Sequence, residues 1–509
     1  MAEADPQLKP QASGDVPTNV TAVIVGAGMS GLLAGIRLKK AGIDDFVILE
    51  RSASVGGTWY DNQYPGASCD VPSHLYSYSF APNPNWTRAF ARQPEILAYF
   101  RDIAERYGLG SHIRFGTEVE GATFDEDEGR WLVRAGDGRR WSGRIFIIGT
   151  GQLNRPWTPD IPGKDSFKGV QFHSARWRHD IDLTGKRVAS IGNGASAVQY
   201  IPEIAPLAEK LTIFQRSANW IIPRPDAEIT PKQHARYAKL PIIPKLIRLL
   251  IYTINESRWG AFKKTGSWAS RRLEKMARDQ LETQVADPKL REVLTPDYPI
   301  GCKRILITDD YYPAVTRPNV EIVTDPIARI LPDGIETRSG RRVPLDVIVW
   351  GTGFETAGLL APMEIVGRGG KRLHDAWAKG AEAHRGVTVA GFPNMFILYG
   401  PNTNLGHNSI IFMSERQMDY AMQLIELLLK RNLRYLDVRP DAQDAYNREL
   451  QAKLATTVWA ANCGSWYKHD GKITNNWSGS TIEFWRQMRR ADLDAYELVP
   501  REPPARITA

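Results

Sequence analysis

The fold is decided by residues 20–42, VTAVIVGAGMSGLLAGIRLKKAG, and by the short apolar run at 46–49 that ends on Glu50. An apolar run, a glycine-rich turn and a helical pattern ending at Gly42 predict a strand, a tight turn and a helix in that order. The run at 46–49 predicts a second strand, and continuous apolar strands are typical of a parallel sheet covered on both faces. The stretch therefore predicts a βαβ unit at the start of an α/β fold.

The glycine-rich turn has the spacing of a dinucleotide-binding site. Gly26 permits the tight turn, Gly28 lets the backbone approach a pyrophosphate, and Gly31 allows the helix to pack closely on the strand. Ser30 lies in the first turn of the helix, whose free N–H groups attract phosphates. Glu50 follows Gly26 by 24 residues, where an acid meets the ribose hydroxyls. A purely structural turn is the alternative, but the flanking strand and helix favour a site for FAD or NAD.

A second unit repeats this pattern at residues 186–205 and 210–217. The turn residues predicted to bind its cofactor are Gly192, Asn193, Gly194, Ala195 and Ser196. Arg216, followed by Ser217, stands where Glu50 stands in the first unit. A guanidinium can hold a 2′-phosphate that a carboxylate would repel, so the second unit predicts NADPH. The alternative for Arg216 is a solvated charge at the end of a strand.

The two units predict an α/β protein with two Rossmann-like dinucleotide-binding domains. The FAD-binding domain is predicted to be discontinuous, at residues 20–154 and 345–509, and to enclose an NADPH-binding domain at 155–344. A basic stretch rich in Leu and Ile, at about 223–298, predicts a helical insertion in the second domain.

Composition excludes several other classes of protein. The chain has 509 residues, of which 42% are hydrophobic and 24% charged, so it is not a disordered chain, a collagen-like fibre or a rod. Its net charge of +8 is mild and its basic pairs are scattered, which gives no indication of a nucleic-acid partner. Residues 1–19 predict a disordered tail without the features of a signal peptide.

The most apolar stretch, residues 240–254, is too short to span a bilayer and contains Lys245 and Arg248. We expect an amphipathic helix that lies on an apolar pocket, with contact to a membrane surface as the alternative. The sequence thus predicts no integral membrane segment and a cytoplasmic location.

The three cysteines, Cys69, Cys302 and Cys463, form no CxxC pair. We therefore expect no disulfide framework and a reducing compartment. The absence of a cysteine pair at redox spacing excludes a disulfide reductase of similar layout. No metal-ligand spacing is found among the nine histidines, so no metal is expected.

Residues 167–177, FKGVQFHSARW, carry Phe167, Gly169, His173 and Trp177 in the spacing FxGxxxHxxxW. This stretch resembles the fingerprint of flavin-dependent Baeyer–Villiger monooxygenases. The related enzymes that oxidise nitrogen or sulfur carry Tyr or Phe where Trp177 stands. A second stretch, GGTWYDNQYPGASCD at 56–70, is similar to another fingerprint of the same family. Arg178, where the family usually has Pro or Asp, is a local departure.

The resemblance implies roles for further residues. Arg304 matches the family's arginine over the flavin, Asp70 matches the carboxylate that orients it, and both are implied to be catalytic. Lys303 and Arg304 are also implied to contact NADP. The residues implied to line the FAD site are Gly57, Thr58, Trp59, Asp70, Tyr76 and Val119. The four residues of the first fingerprint are implied to act in domain motion.

The activity that the resemblance implies is an FAD- and NADPH-dependent monooxygenation. One oxygen atom of O₂ is inserted beside the carbonyl of an apolar ketone through a flavin C4a-peroxide, giving an ester or lactone. Arg304 suits this chemistry because a permanent cation stabilises an anionic oxygen. The alternatives are an enzyme that oxidises nitrogen or sulfur, and a flavin-bound redox sensor without turnover. The sequence leaves the individual ketone and the oligomeric state open.

Overall fold

The computed structural model describes residues 16–356 and 358–501. In chain order its strands are β1 Thr18–Val25, β2 Phe46–Leu49, β3 Ile113–Arg114, β4 Val119–Asp125, β5 Arg130–Ala135, β6 Arg140–Ile148, β7 Val170–His173, β8 Arg187–Ile191, β9 Lys210–Phe214, β10 Ile221–Ile222, β11 Leu306–Ile307, β12 Val320–Val323, β13 Ile327–Leu331, β14 Gly334–Thr337, β15 Arg342–Pro344, β16 Val347–Trp350, β17 Glu364–Val366, β18 Met395–Ile397, β19 Leu433–Val438, β20 Lys468–His469, β21 Lys472–Ile473 and β22 Tyr496–Pro500. Its α-helices are α1 Met29–Lys40, α2 Thr58–Asp61, α3 Gln93–Arg106, α4 Ala197–Ile204, α5 Pro231–Lys239, α6 Ile242–Ser257, α7 Trp259–Phe262, α8 Trp268–Gln284, α9 Pro288–Val293, α10 Tyr311–Val315, α11 Leu373–Ala376, α12 Ile410–Lys430, α13 Pro440–Leu454 and α14 Thr481–Met488.

The first sheet is built around β1, which pairs in parallel with β2 on one side and β6 on the other. Its strand order is β17-β4-β5-β6-β1-β2-β3, with β18 also paired to β6. Val25, the last residue of β1, lies opposite both Leu49 and Ile148, so three strands end together at one edge. The helix α1 starts at this edge and packs against α12, which buries the apolar face that both helices present.

The second sheet has the order β12-β9-β8-β16-β7, and all its strands are parallel. The strands β8 and β9 with α4 between them form the second βαβ unit, as the sequence predicts. The predicted domain boundary at residue 345 is wrong, because β16 pairs with β7 and β8 of the second sheet. The chain rejoins the first sheet only at β17, which pairs with β4. No local sequence pattern shows to which of the two sheets β16 belongs.

Both dinucleotide folds have a glycine with positive φ at the carboxyl edge of the sheet, packed against a carbonyl oxygen. Gly26 has φ +95°, and a Cβ added there would lie 2.8 Å from the carbonyl oxygen of Gly149. Gly192 has φ +100°, and its added Cβ would lie 2.4 Å from the carbonyl oxygen of Gly351. Only glycine tolerates both the left-handed backbone and the close carbonyl, so each turn is fixed by its sequence.

The helices α5 to α9 lie within the predicted insertion at 223–298. Of the predicted tail at 1–19, residues 1–15 lie outside the described residues, and β1 already begins at Thr18. In the described part of the chain no group of three metal-ligating side chains is found, and no helix is long and apolar enough to cross a membrane.

The sequence predicts no disulfide framework, and it gives no sign of the single disulfide that Cys302 and Cys463 form. The two residues are 161 positions apart, so their approach depends on the tertiary fold and has no sequence signature. The bond ties the segment that carries Lys303 and Arg304 to the C-terminal part of the first domain. Cys69 is free and buried.

Candidate active site

Arg304 and Asp70 form an ion pair between the two domains. Asp70 lies in the long loop between α2 and α3, whereas Arg304 precedes β11. Arg304 donates from Nε to Oδ2 of Asp70 over 3.0 Å and also donates to this oxygen from Nη2. The negative charge of Asp70 raises the pKa of Arg304 above its ordinary value. The Arg304 side chain is 47% exposed, so the ion pair lies at the surface of the protein and not in its core.

The backbone of the first glycine turn packs closely against the backbone at Gly57. A Cβ added to Gly28 would lie 3.4 Å from Cα of Gly57, and one added to Gly57 would lie 3.0 Å from Cα of Gly28. A Cβ added to Gly31 would lie 1.7 Å from the carbonyl oxygen of Gly26, so this glycine is required by helix packing. Ser30 is buried beside it in the first turn of α1. The backbone at Gly28 and Gly57, which we call the glycine cradle, carries no side chains, and this suits the close approach of a pyrophosphate.

Glu50 is fixed at the end of β2, next to this cradle. Its carboxylate accepts hydrogen bonds from the backbone N–H of Ala27, at 2.6 Å, and from that of Ser52, at 2.8 Å. The side chain is buried, and its two oxygens are held by the turn itself. This position suits the hydrogen bonds that an acid makes to ribose hydroxyls.

The remaining residues implied to line the FAD site lie on several elements. Thr58 begins α2, and Trp59 on the same helix donates from Nε1 to the hydroxyl of Tyr76 over 3.0 Å. Val119 begins β4 and packs against the apolar core on one face of the first sheet. The structure thus joins Trp59 and Tyr76 directly, whereas no contact between Val119 and the other residues of this group is found in the described part of the chain.

The second glycine turn has an open space above it and cations beside it. No atom lies within 4 Å of a Cβ added to Gly194. Asn193 donates from Nδ2 to Gln215 Oε1, at 2.6 Å, and to the carbonyl of Ser217, at 3.1 Å, which ties the turn to the end of β9. Ala195 and Ser196 lead directly into α4.

Arg216 and Lys303 are brought together although they are far apart in sequence. Lys303 donates from Nζ to Oγ of Ser217 over 3.0 Å. Burial lowers the pKa of Lys303, Asp297 opposes this shift, and the charge of Arg216 adds to it. Neither cation forms a salt bridge with any residue that the structure describes. Two neighbouring cations in this arrangement suit a 2′-phosphate.

Comparison with known proteins agrees with this geometry. Residues 23–248 match the family described as pyridine nucleotide-disulphide oxidoreductase. A Baeyer-Villiger monooxygenase of Streptomyces coelicolor is 44% identical over 497 residues, covering 97% of this chain and 95% of the relative. One of Pseudomonas aeruginosa is 42% identical over 478 residues, covering 93% of this chain and 90% of the relative. The chain belongs to the Baeyer–Villiger monooxygenase family.

Solved structures give the same result. A steroid monooxygenase in its oxidized form, bound to NADP, superposes with a TM-score of 0.83 at 34% identity, covering 95% of this chain and 100% of that one. A cyclohexanone monooxygenase in its closed form superposes with a TM-score of 0.85 at 28% identity, with the same coverage. The predicted fold class, with two Rossmann-like dinucleotide-binding domains, is therefore confirmed.

The family fingerprint lies on β7 and on the turn that follows it. Phe167 packs in the core of the second domain, and a Cβ on Gly169 would lie 2.4 Å from the carbonyl oxygen of Asp346. His173 accepts a hydrogen bond at Nδ1 from the N–H of Ala175, and burial lowers its pKa to about 4. The structure describes no contact of these residues with Arg304 or Asp70.

Trp177 completes the fingerprint at the junction of the domains. Its ring lies 5.4 Å from that of Tyr200 on α4, and Tyr200 in turn lies 6.1 Å from the ring of Tyr64 in the first domain. Tyr64 donates to Oε1 of Gln199 on α4 over 3.0 Å. Trp177 therefore belongs to a chain of aromatic and polar contacts that joins the two domains, which fits a conformational role.

Sequence reasoning missed Tyr399 and Tyr467, two tyrosines near the Arg304–Asp70 pair. Both hydroxyls interact electrostatically with Arg304 and Asp70. Burial raises the pKa of Tyr467 to about 12, and Tyr399 donates from its hydroxyl to Oδ1 of Asn404 over 2.8 Å. Neither tyrosine lies in a recognised motif. Only the tertiary structure shows that both lie near Arg304 and Asp70.

Proposed function

We propose that this chain binds FAD in its first domain and NADPH in its second, and converts a ketone into an ester or lactone with one oxygen atom of O₂. The Arg304–Asp70 pair carries the proposal, because it places a permanent cation where the two dinucleotide folds meet. Family membership supports the activity, and one similar solved structure is named as a complex with FAD and NADP.

FAD would be held by the cradle of Gly28 and Gly57, by Glu50 and by the pair of Trp59 and Tyr76. NADPH would be held by the second turn together with three polar side chains, namely Arg216, Ser217 and Lys303. The chemistry that the bound cofactors supply is the transfer of electrons from NADPH to the flavin and the activation of O₂ by the reduced flavin.

Arg304 would act on the ketone through its charge. When a carbonyl carbon is attacked, negative charge develops on oxygen, and a fixed cation stabilises that charge without reorganisation. Arginine stays protonated throughout, and Asp70 raises its pKa further, so it stabilises the oxyanion without giving up a proton. Asp70 holds the guanidinium plane by accepting from Nε and Nη2.

The nature of the ketone and the cellular location are further parts of the proposal. An apolar ketone is supported by the many Leu, Ile and Trp residues of the helical insertion and of the C-terminal part of the chain. Oxidation of nitrogen or sulfur is not favoured, because the named relatives are Baeyer–Villiger monooxygenases. A cytoplasmic location stays a prediction from the sequence, and fractionation of the producing cells would test it.

The experiment that tests the proposal supplies the purified chain with FAD, NADPH and two panels of compounds. One panel contains cyclic, aromatic and steroidal ketones, and the other contains thioethers and tertiary amines. NADPH oxidation is recorded and products are identified by mass. We expect ketones to yield esters or lactones that are one oxygen atom heavier. Oxidation of the thioethers or amines alone, with all ketones recovered unchanged, would contradict the proposal.

A further inference from the structure

Almost all of the net positive charge of the chain is concentrated in one segment. Residues 229–268 contain eight Lys and Arg and a single acidic residue, Glu256. The other 469 residues contain 57 basic and 56 acidic side chains, so they are close to neutral. This segment, which we call the basic segment, comprises α5, α6, α7 and the loop up to Trp268. Such an asymmetry indicates an anionic partner at this place on the surface.

The helix α6 also presents an apolar face to solvent. The five residues that form this face are 48–60% exposed, and they are Ile242, Leu246, Leu249, Leu250 and Ile254. Their spacing places them on one side of a helix, along nearly its whole length. Leu240, just before the helix, and Trp268 at the end of the segment are exposed as well. A contiguous exposed apolar strip of this kind is typical of an interaction surface.

The cations of the basic segment lie before, within and after α6 along the chain. Six of them are exposed, namely Lys232, Arg236, Lys239, Lys245, Lys263 and Lys264. None of the six forms a salt bridge with any residue that the structure describes. Long basic side chains beside an apolar strip can reach anionic groups above it while their methylenes stay near the apolar layer.

The opposite face of α6 is firmly attached to the body of the protein. Arg248 donates from Nη1 to the carbonyl oxygens of His74, at 2.9 Å, and Leu75, at 3.0 Å. Glu256 accepts from Nδ2 of Asn408 over 2.9 Å and from the backbone N–H of Ile482 over 3.2 Å. Hydrogen bonds to its carboxylate outweigh the effect of burial and lower its pKa to about 2. These bonds fix the rotation of α6 about its own axis. The apolar face on the opposite side of the helix is therefore held toward solvent.

We propose that the basic segment binds the surface of an anionic lipid bilayer, with α6 lying in the plane of the interface. An interfacial helix combines an apolar face with flanking Lys and Arg, and here the apolar residues would enter the acyl boundary while the cations meet lipid phosphates. No helix among the described residues can cross the bilayer, so the contact is made at the surface.

Other occupants fit the observations less well. A second copy of the chain in a two-fold dimer would place the same six cations against each other, which is unfavourable. A nucleic acid would satisfy the cations through its phosphates, but it offers nothing to the five aliphatic side chains. A lipid surface supplies anions and an apolar layer together.

The test is flotation of the full-length protein, loaded with FAD, with vesicles of phosphatidylcholine alone or mixed with phosphatidylglycerol. We expect binding to the anionic vesicles to exceed binding to neutral ones about tenfold, and to weaken strongly as salt is raised. The variant Leu249→Gln/Leu250→Gln and the variant Lys239→Glu/Lys245→Glu should each reduce binding about tenfold. Flavin content and thermal stability are measured on every variant, to show that it is folded.

The matched controls change exposed residues of the same types elsewhere. These controls are Leu132→Gln/Leu207→Gln for the apolar change and Lys379→Glu for the charge change, and both should bind as the wild type does. The proposal is overturned if the wild-type protein floats with neither kind of vesicle. It is also overturned if only the charge change matters, or if light scattering shows a dimer that Leu249→Gln/Leu250→Gln dissociates.

Discussion

Arg304 and Asp70 are separated by 234 positions in the chain, yet Nε of the arginine lies 3.0 Å from Oδ2 of the carboxylate. Asp70 belongs to a loop of the first domain, and Arg304 is delivered by the segment that follows the helical insertion of the second. The pair therefore forms only when both domains are folded and docked. We propose that replacing Arg304 impairs oxygen insertion while both cofactors remain bound.

We expect Arg304→Ala to reduce ester formation by a factor of about one hundred or more, as for loss of an oxyanion donor. NADPH should still be oxidised, with the electrons appearing as hydrogen peroxide. Arg304→Lys should not restore the ester, because an ammonium cannot replace the planar guanidinium. Product mass and peroxide release, measured in parallel, decide the matter. Undiminished ester formation by Arg304→Ala would show that the site lies elsewhere.

Arg216→Ala should remove the preference for NADPH over NADH. Loss of one charge-assisted hydrogen bond costs about 1.5–3 kcal/mol, which corresponds to roughly a tenfold to hundredfold weaker binding of NADPH. The matched control is Arg317→Ala, which changes an exposed arginine in the same domain. Steady-state KM values for both cofactors provide the measurement, and an unchanged ratio of the two would refute the role of Arg216.

Gly194→Ala should impair NADPH binding while leaving the fold intact. An added Cβ has no protein atom within 4 Å, so it costs little in stability. It would occupy the space through which a pyrophosphate approaches the backbone. Gly110→Ala is the control, since its added Cβ also meets no protein atom. We expect an unchanged Tm and a raised KM for NADPH in Gly194→Ala alone. Equal KM values in both variants would place the phosphate elsewhere.

His384 should make the protein less stable in mild acid. Burial lowers its pKa from 6.5 to about 4, and it is 5% exposed. The unfolded chain takes up a proton near pH 6.5 whereas the folded protein resists it, so the contribution of neutral His384 is complete above 6.5 and is lost as the pH falls toward 4.

Over this range the free energy of unfolding of the wild type should fall by on the order of 2 kcal/mol more than that of His384→Gln. The exposed His179→Gln is the control and should behave as the wild type does. Urea unfolding at several pH values gives the comparison, and parallel curves for wild type and His384→Gln would show that His384 is not the group responsible.

The parts of the fold that could be predicted from sequence are those that a short stretch determines by itself. Gly26 and Gly192 are required by the positive φ of their turns, and Gly31 by the carbonyl of Gly26 five residues before it. The helical insertion is visible because its composition changes over many residues. Local patterns of this kind are sufficient to predict where along the chain each dinucleotide turn lies.

The remainder depends on contacts between distant segments. The pairing of Cys302 with Cys463 spans 161 residues, and no rule of spacing connects them. Tyr399 and Tyr467 reach the Arg304–Asp70 pair through loops whose sequence resembles that of any other loop. The position of β16 in the second sheet likewise depends on tertiary contacts, because a buried apolar strand of four residues could pair in either sheet.

The central claim is that one oxygen atom of O₂ is inserted beside a ketone carbonyl. It is tested most directly by running the reaction under O₂ labelled with the heavy isotope of oxygen and analysing the ester by mass spectrometry. Our account predicts one labelled atom per ester, located in the new bridging oxygen, with the carbonyl oxygen of the ketone retained. An ester without label, or labelled hydrogen peroxide with no ester for any ketone tested, would contradict it.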